Sequence, residues 1–143
     1  MFNISNNDII TMTRGDSAIT ELCINLGSEL SPIIYDLGAE DKVYLGVCEP
    51  NKPWEAALIK KVFTAADYNY EQHTLRIAFK SKDTEFVLPG VYYYSIKLYR
   101  PSLEEIEYNF EEESGAEEFI QNEFTTAEKI DTIIDRKKFI ILE

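Results

Sequence analysis

The sequence predicts an all-β fold, an antiparallel β-sandwich of immunoglobulin-like or jelly-roll-like type. Nine Tyr and eight Phe residues give the chain a high content of aromatic side chains, which are enriched in strands. Short apolar runs with alternating polarity recur along the chain, and turn residues separate them. A length of 143 residues with 45% hydrophobic content is enough for one core, so we expect a single domain over residues 1–143.

Four strand-like runs occupy the first half of the chain. The first covers residues 8–13, and the second covers residues 17–26 with apolar side chains at every second position. The third, residues 43–48, is apolar on both faces, as is typical of a strand in the interior of a sheet. The two prolines that follow it cannot donate to a sheet and end this run, before a fourth strand over residues 56–63.

The second half begins with a helical turn that Thr64 is expected to cap. Residues 74–79 then alternate between apolar and polar side chains, and residues 91–99 give the clearest strand pattern in the chain. Two short apolar pieces, residues 129–134 and 138–142, are predicted as closing strands, because a terminal strand fixes the end of a chain to its domain.

Alternation along these runs also predicts the core. In the run over residues 91–99, Ser95 and Lys97 mark the solvent-facing side, and the alternate residues from Tyr92 to Leu98 form the inward face. The predicted core residues are Leu22, Ile24, Val43, Leu45, Val47, Leu75, Ile77, Phe79, Tyr92, Tyr94, Ile96 and Leu98.

An acidic insertion interrupts the pattern at about residues 103–128. An edge strand over residues 104–110 and a short helix over residues 116–124 are compatible with its apolar spacing. Its charge run has glutamates in blocks, unlike the interleaved Asp, Asn and Gly of calcium loops, so a solvated tip or a docking surface for a basic partner is favoured over a calcium site. The glutamates assigned to partner binding are Glu111, Glu112, Glu113, Glu117 and Glu118.

The overall charge argues against two classes of partner. Twenty-six acidic and fourteen basic residues give a formal net charge of -12, which repels nucleic acids and anionic lipid surfaces. The N-terminal residues do not form a signal peptide, and no apolar run is long enough to span a bilayer. We therefore expect synthesis and folding in a cytoplasm, without membrane or nucleic-acid binding.

Residues with catalytic or metal-binding chemistry are sparse, and the sequence predicts a non-enzymatic protein without a cofactor. Cys23 and Cys48 lie in apolar runs without CxxC spacing, so two reduced, buried thiols are expected, with a disulfide between neighbouring strands as the alternative. His73 is the only histidine and lies in a polar stretch, which favours a surface loop over a nucleophile system.

Trp54 is the only tryptophan and follows Pro53 in a loop between two strands. Such a side chain can anchor a protein interface, so Trp54 is assigned to partner binding, although packing under its own loop is the competing interpretation. Together with Tyr93 and Tyr99, which are taken as exposed, it would form a sugar-stacking face. This is the basis of an alternative function as a bacterial carbohydrate- or ligand-binding module.

The triplet Arg14-Gly15-Asp16 spells a sequence that integrins recognise. It lies between two alternating runs, where glycine supplies an unusual backbone dihedral angle and aspartate bonds back to the backbone. The position predicts a turn between strands and not an adhesion motif.

Several of these segments follow an order that resembles a known family. They are the strand and turn at residues 10–17, the strand at residues 41–47, residues 83–84 with the Pro-Gly-x-Tyr-x-Tyr strand at residues 88–98, and the closing pair at residues 131–134 and 139–141. The chain resembles the small β-sandwich of tail, baseplate and fibre-attachment proteins of phages of Gram-positive bacteria. The N-terminal domain of the upper baseplate protein family is the best-known domain of this kind.

The resemblance implies a virion adaptor that packs against other structural proteins and presents a host-binding part on its C-terminal side. Here no fibre region follows Glu143, and the acidic insertion is an addition, so direct host recognition is not expected. The function expected is that of a phage or phage-derived structural protein, made in the bacterial host cytoplasm and located in the virion. It would assemble with itself or with neighbouring virion proteins through edge strands and loops.

Overall fold

The computed structural model describes residues 1–28, 30–101 and 130–143, and these residues form an all-β structure of two sheets. Each strand coincides with an apolar or alternating stretch of the sequence. The strands are β1 (Phe2–Ile4), β2 (Ile10–Thr13), β3 (Ala18–Leu22), β4 (Lys42–Cys48), β5 (Ile59–Phe63), β6 (Tyr68–Asn69), β7 (Thr74–Phe79), β8 (Gly90–Tyr99) and β9 (Ile130–Leu142).

The larger sheet has six strands in the order β1-β2-β9-β8-β4-β5. Its neighbouring strands pair antiparallel, as predicted, with the exception of β2 and β9. These two run parallel, with Ile10 opposite Phe139 and Thr13 opposite Leu142. The prediction of a wholly antiparallel fold is therefore wrong at this pair, because two strands from opposite ends of the chain enter the sheet in the same direction.

The smaller sheet has three antiparallel strands in the order β3-β7-β6. Side chains from both sheets contribute to one buried cluster. The predicted core is confirmed for eleven of its twelve members, which are buried, whereas Leu22 is half-buried and packs against the cluster. Three aromatic rings form edge contacts at its centre. The centroid of the Phe139 ring lies 5.6 Å from that of Phe79 and 6.1 Å from that of Tyr94.

The C-terminal strand differs from its prediction. Residues 130–142 form one strand of 13 residues and not two short ones. Its pairing with β8 is irregular near Ser95, where Arg136 has a φ of 53° and its N–H donates to the Ser95 hydroxyl at 3.0 Å. Ser95, predicted to face solvent, is consequently buried.

Short helical turns fill the connections. The Thr64 cap is confirmed, since its hydroxyl accepts from the Ala66 N–H and the Asp67 carboxylate accepts from the Thr64 N–H. A single α-helical turn, α1 (Ser81–Thr84), follows β7. The predicted insertion at residues 103–128, with its proposed edge strand and helix, lies outside the described residues.

Candidate functional site

The strongest candidate site is a cleft between two edge strands. β1 is an edge of the six-stranded sheet, and β3 is an edge of the three-stranded sheet. A cavity of about 120 Å³ lies between them and reaches the common core. Its lining residues are mostly aliphatic; they are Ile4, Asp8, Ile10, Thr20, Glu21, Leu22, Cys23, Leu45, Ile77, Tyr94, Ile96 and Ile134. We refer to this feature as the edge cleft.

The polar groups of the edge cleft are held by bonds within the chain. The Tyr94 hydroxyl donates to the backbone carbonyl of Asp8 at 2.6 Å, and Asp8 has a φ of 63°. The Glu21 carboxylate accepts from the Thr74 hydroxyl at 3.1 Å. Because an apolar cavity of about 150 Å³ can bind a molecule such as benzene, the edge cleft has room for about one aliphatic side chain.

Of the two strands beside the edge cleft, β3 carries few of the features that block edge pairing. It contains no proline, has one charged residue and leaves Ile19 56% exposed. β1 is only three residues long, which limits pairing along it, but its Ile4 is 41% exposed. By contrast, the opposite edge of the six-stranded sheet is β5, with Lys60 and Lys61 in a five-residue strand, a common protection against edge pairing.

Trp54 does not lie near the edge cleft. It begins a 3-10 helix and is half-buried against the outer face of the six-stranded sheet, beside Tyr44 and Tyr99. The Lys97 ammonium lies 4.5 Å from the centroid of its ring. This geometry agrees with packing under its own loop, and partner binding by Trp54 remains a prediction.

The predicted sugar-stacking face is not assembled. Tyr99 was expected to be exposed but is buried in the cluster that Trp54 covers, because its side chain points to the outer face beneath the 3-10 helix. Tyr93 is half-buried, and the guanidinium of Arg136 lies 5.3 Å from its ring centroid. The other predicted partner-binding residues, Glu111, Glu112, Glu113, Glu117 and Glu118, lie outside the described residues.

The triplet Arg14-Gly15-Asp16 forms a turn, as predicted. The Asp16 N–H donates to the Thr13 carbonyl at 3.1 Å, and Gly15 has a φ of 84°. The Gly15 N–H donates to the Thr84 hydroxyl at 2.8 Å, and the Asp16 carboxylate pairs with the N-terminal amino group. These contacts hold the turn to the body of the domain.

The two cysteines have different environments, and both are free thiols. Cys48 is buried, as predicted, and burial raises the pKa of its thiol. The prediction for Cys23 is wrong: β3 ends at Leu22, so Cys23 leaves the sheet and is exposed. The alternative of a disulfide between them is not realised.

His73 is exposed, as predicted, and bonds to a carboxylate that sequence reasoning did not identify. Its Nδ1 lies 2.8 Å from Asp36 Oδ1, and the Tyr68 hydroxyl donates to the same oxygen at 2.7 Å. These hydrogen bonds, that of His73 first, lower the pKa of Asp36. Cys23 and His73 line the same open cavity of about 440 Å³.

Asp41 is a buried polar residue in the turn that precedes β4. It is 1% exposed, and its Oδ2 accepts from the Gly38 N–H at 2.8 Å and from the Tyr35 hydroxyl. Burial, followed by the hydrogen bond to Asp41, raises the pKa of Tyr35 to about 12. The arrangement fixes the chain ahead of β4 and is structural in character.

Neither a metal site nor a membrane span is found in the described part of the chain. Residues 1–28, 30–101 and 130–143 contain no group of three or more His, Cys, Asp and Glu side chains that could hold a metal ion. Over the same ranges, none of the helices has the length and apolar character that crossing a bilayer requires.

Comparison with protein-family models gives no match to this sequence. Comparisons with curated proteins and with solved structures give no match either.

Proposed function

We propose that this chain is a non-enzymatic structural protein of a phage or phage-derived particle, assembling with itself or with other virion proteins through its open edge. The observation that carries the proposal is the edge cleft, an apolar opening beside β3, an edge strand that lacks strong blocking features. Exposed edge strands are templates for pairing with another chain. The order of strand and turn motifs that resembles baseplate proteins is the second support.

We further infer that the fold is immunoglobulin-like and not a jelly roll. Immunoglobulin-type sandwiches have a C-F-G sheet, extended by C′ in the variable type, that faces a sheet containing B, E and D. The order β9-β8-β4-β5 fits G-F-C-C′, and the order β3-β7-β6 fits B-E-D. The core cluster shared by both sheets fits this assignment.

The mechanism would combine strand addition with insertion of a side chain. A partner segment that pairs with β3 would gain backbone hydrogen bonds, and every second side chain would point toward the domain. One aliphatic side chain of that segment would fill the edge cleft. Ile4, which lines the edge cleft and is 41% exposed, would provide additional apolar contact.

The interface is tested by the mass of the purified protein in solution, measured by light scattering over a range of concentrations. We expect a defined oligomer that Ile19→Lys disrupts, because a lysine on an edge strand opposes pairing. Leu58→Lys is the matched control, since Leu58 is similarly exposed, at 48%, but lies beside β5. An oligomer that both variants retain would exclude the β3 edge as the interface.

The role in a particle requires a separate test. Mass spectrometry of purified phage particles, released from a bacterium that carries the gene, should detect the chain in stoichiometric amount. Its absence from such particles would overturn the proposed function, whatever the oligomeric state of the isolated protein.

A further inference from the structure

A group of cations lies on the outer face of the six-stranded sheet, away from the edge cleft. Lys60 of β5 is opposite Gly46 of β4, and Gly46 is opposite Ser95 of β8. The Arg136 N–H of β9 then bonds to the Ser95 hydroxyl. Gly46 and Ser95 therefore lie side by side in a row that crosses the sheet. Lys60 and Arg136 lie at its two ends. With their neighbours Lys97 and Lys138, they form what we name the cationic face.

Pairing registers place the other two cations beside this row. Lys97 is two positions from Ser95 along β8, so both point to the same side of the sheet. Lys138 pairs with Tyr93, which precedes Ser95 by two positions. The guanidinium of Arg136 lies over the Tyr93 ring at 5.3 Å from its centroid. The cationic face thus combines four positive charges with an aromatic surface.

Cys48 lies on the same face of the sheet as these cations. Its side chain belongs to the outer-face cluster with Tyr44 and Tyr99. Burial raises the pKa of this thiol, whereas the charges of Arg136, Lys60 and Lys97 oppose that shift. Among the described residues, the charge of Glu55 also raises the pKa of this thiol. Three cations from three different strands therefore act on a single buried atom.

Most of this charge is not neutralised by the described part of the domain. Lys60, Arg136 and Lys138 form no ion pair with residues 1–28, 30–101 or 130–143. Arg136 and Lys138 are exposed. Other cations differ: Lys61 bonds to Asp83 at 2.9 Å, and Arg100 bonds to Asp131 at 2.5 Å. Three cations of the cationic face are therefore without an ion pair among the described residues, although the formal net charge of the chain is -12.

We propose that the cationic face binds a short acidic segment of another polypeptide. Carboxylates of such a segment would pair with Lys60, Arg136 and Lys138, and the arginine fork can hold a carboxylate with two hydrogen bonds. The Tyr93 ring would provide apolar contact for neighbouring side chains. This surface is separate from the edge cleft, so the inference goes beyond the proposed assembly mechanism and does not depend on it.

A peptide fits this surface better than a nucleic acid does. A nucleic acid carries a charge on every nucleotide and would extend past the four cations, where the field of an acidic chain repels phosphate. A short acidic peptide confines its carboxylates to the cationic face. Exposed charges are screened beyond about 10 Å at 0.1 M salt, so binding should weaken as salt is added.

The test is a fluorescence anisotropy titration of the full chain with a labelled decaglutamate peptide at low salt. The variant Lys60→Gln/Arg136→Gln/Lys138→Gln removes three cations of the cationic face. Each exposed charge pair contributes up to about 1 kcal/mol, so we expect about a tenfold or greater loss of affinity. The control, Arg76→Gln/Lys80→Gln/Lys82→Gln, removes the same charge from exposed positions on β7 and α1 and should change affinity by less than about threefold.

Circular dichroism and urea denaturation establish that both variants are folded. Light scattering that reveals self-association with the same dependence on the cationic face would support the proposal, with a second copy supplying the acidic segment. Equal weakening in both variants would overturn it, because the effect would then follow net charge alone. Tighter binding of a short oligo-dT strand, lost in the first variant only, would also overturn it in favour of a nucleic-acid site.

Discussion

Two regions beside the core differ in how their polar groups are hydrogen-bonded. This difference distinguishes a region that stabilises the fold from a region that is proposed to bind a partner. The segment between β3 and β4 packs against the core near β6, whereas the edge cleft opens between β1 and β3. The first region is closed by side chains and hydrogen bonds of the chain itself. The second exposes apolar side chains and the edges of two strands.

The closed segment is fixed by tyrosine hydroxyls and by one asparagine. Tyr70 donates to the Leu37 carbonyl at 2.6 Å, and Tyr68 donates to the Asp36 carboxylate at 2.7 Å. The Asn25 side chain accepts the N–H groups of Gly27 and Ile33, each at 2.9 Å. Irregular backbone can pack against a core only where its polar groups have such partners.

At the edge cleft the described hydrogen bonds lie at the rim and base, and the side chains between them are aliphatic. Nothing in such a lining favours one polar ligand, but backbone edges and an apolar opening suit an extended polypeptide. The closed segment therefore contributes to the stability of the fold, and the proposed function assigns binding to the edge cleft. Measurements of stability, thiol reactivity and assembly test this division.

The largest effect is expected from truncation in the closed segment. Leu37 is 1% exposed and packs in the core, so Leu37→Ala should lower the free energy of unfolding by about 2–5 kcal/mol. Ile4→Ala at the edge cleft should cost about 1 kcal/mol or less, because Ile4 is largely exposed. Urea denaturation followed by circular dichroism measures both. Equal losses would remove the distinction between the two regions.

The second prediction concerns the buried carboxyl group of Asp41. Tyr35→Phe removes one of the donors to Asp41 Oδ2 and should destabilise the fold by about 1–3 kcal/mol. Tyr70→Phe is the control, because its hydroxyl bonds to a backbone carbonyl and the side chain is 49% exposed. A control that costs as much as Tyr35→Phe would contradict a special role for Asp41.

The same tyrosine predicts a pH dependence. The pKa of Tyr35 is raised from 10.0 to about 12, so its contribution to stability is fully present below pH 10. Above pH 10 the unfolded chain releases this proton before the folded chain does, and stability falls as pH rises toward 12. The difference between the wild type and Tyr35→Phe should therefore narrow across this range in urea denaturation.

Local patterns in the sequence predicted the strands that alternate clearly. The runs at residues 43–48, 74–79 and 91–99 form β4, β7 and much of β8, because period-two alternation is a property of the strand itself. The Thr64 cap was predicted for the same reason, since the residues that form it are neighbours in sequence. These signals need no knowledge of the rest of the fold.

Features that depend on distant pairing could not be predicted in this way. The parallel pairing of β2 with β9 joins the two ends of the chain, and β1 is only three residues long, too short for a periodic pattern. The edge cleft therefore has no local signal in the sequence. The same holds for the cationic face, because only the registers of four strands bring Lys60 and Arg136 to the same face of the sheet.

The two cysteines provide a test that is expected to change stability the least. Their thiols compare an exposed environment directly with a buried one. Cys23 lines the edge cleft and is exposed, whereas Cys48 is buried in the six-stranded sheet and its thiol has a raised pKa. At mildly alkaline pH, a thiol reagent such as Ellman's reagent should therefore modify one cysteine per native chain quickly and the second only on unfolding. Cys23→Ser should abolish the fast reaction, and two fast thiols would contradict the burial of Cys48.

Reaction at Cys23 also links this comparison to assembly. A bulky maleimide on Cys23, which lines the edge cleft, would obstruct the opening that a partner side chain is proposed to fill. We expect the labelled chain to keep its thermal midpoint and to lose the oligomer, as measured by calorimetry and light scattering. An oligomer that survives complete labelling would place the interface elsewhere, because the edge cleft cannot hold a maleimide and a partner side chain at once.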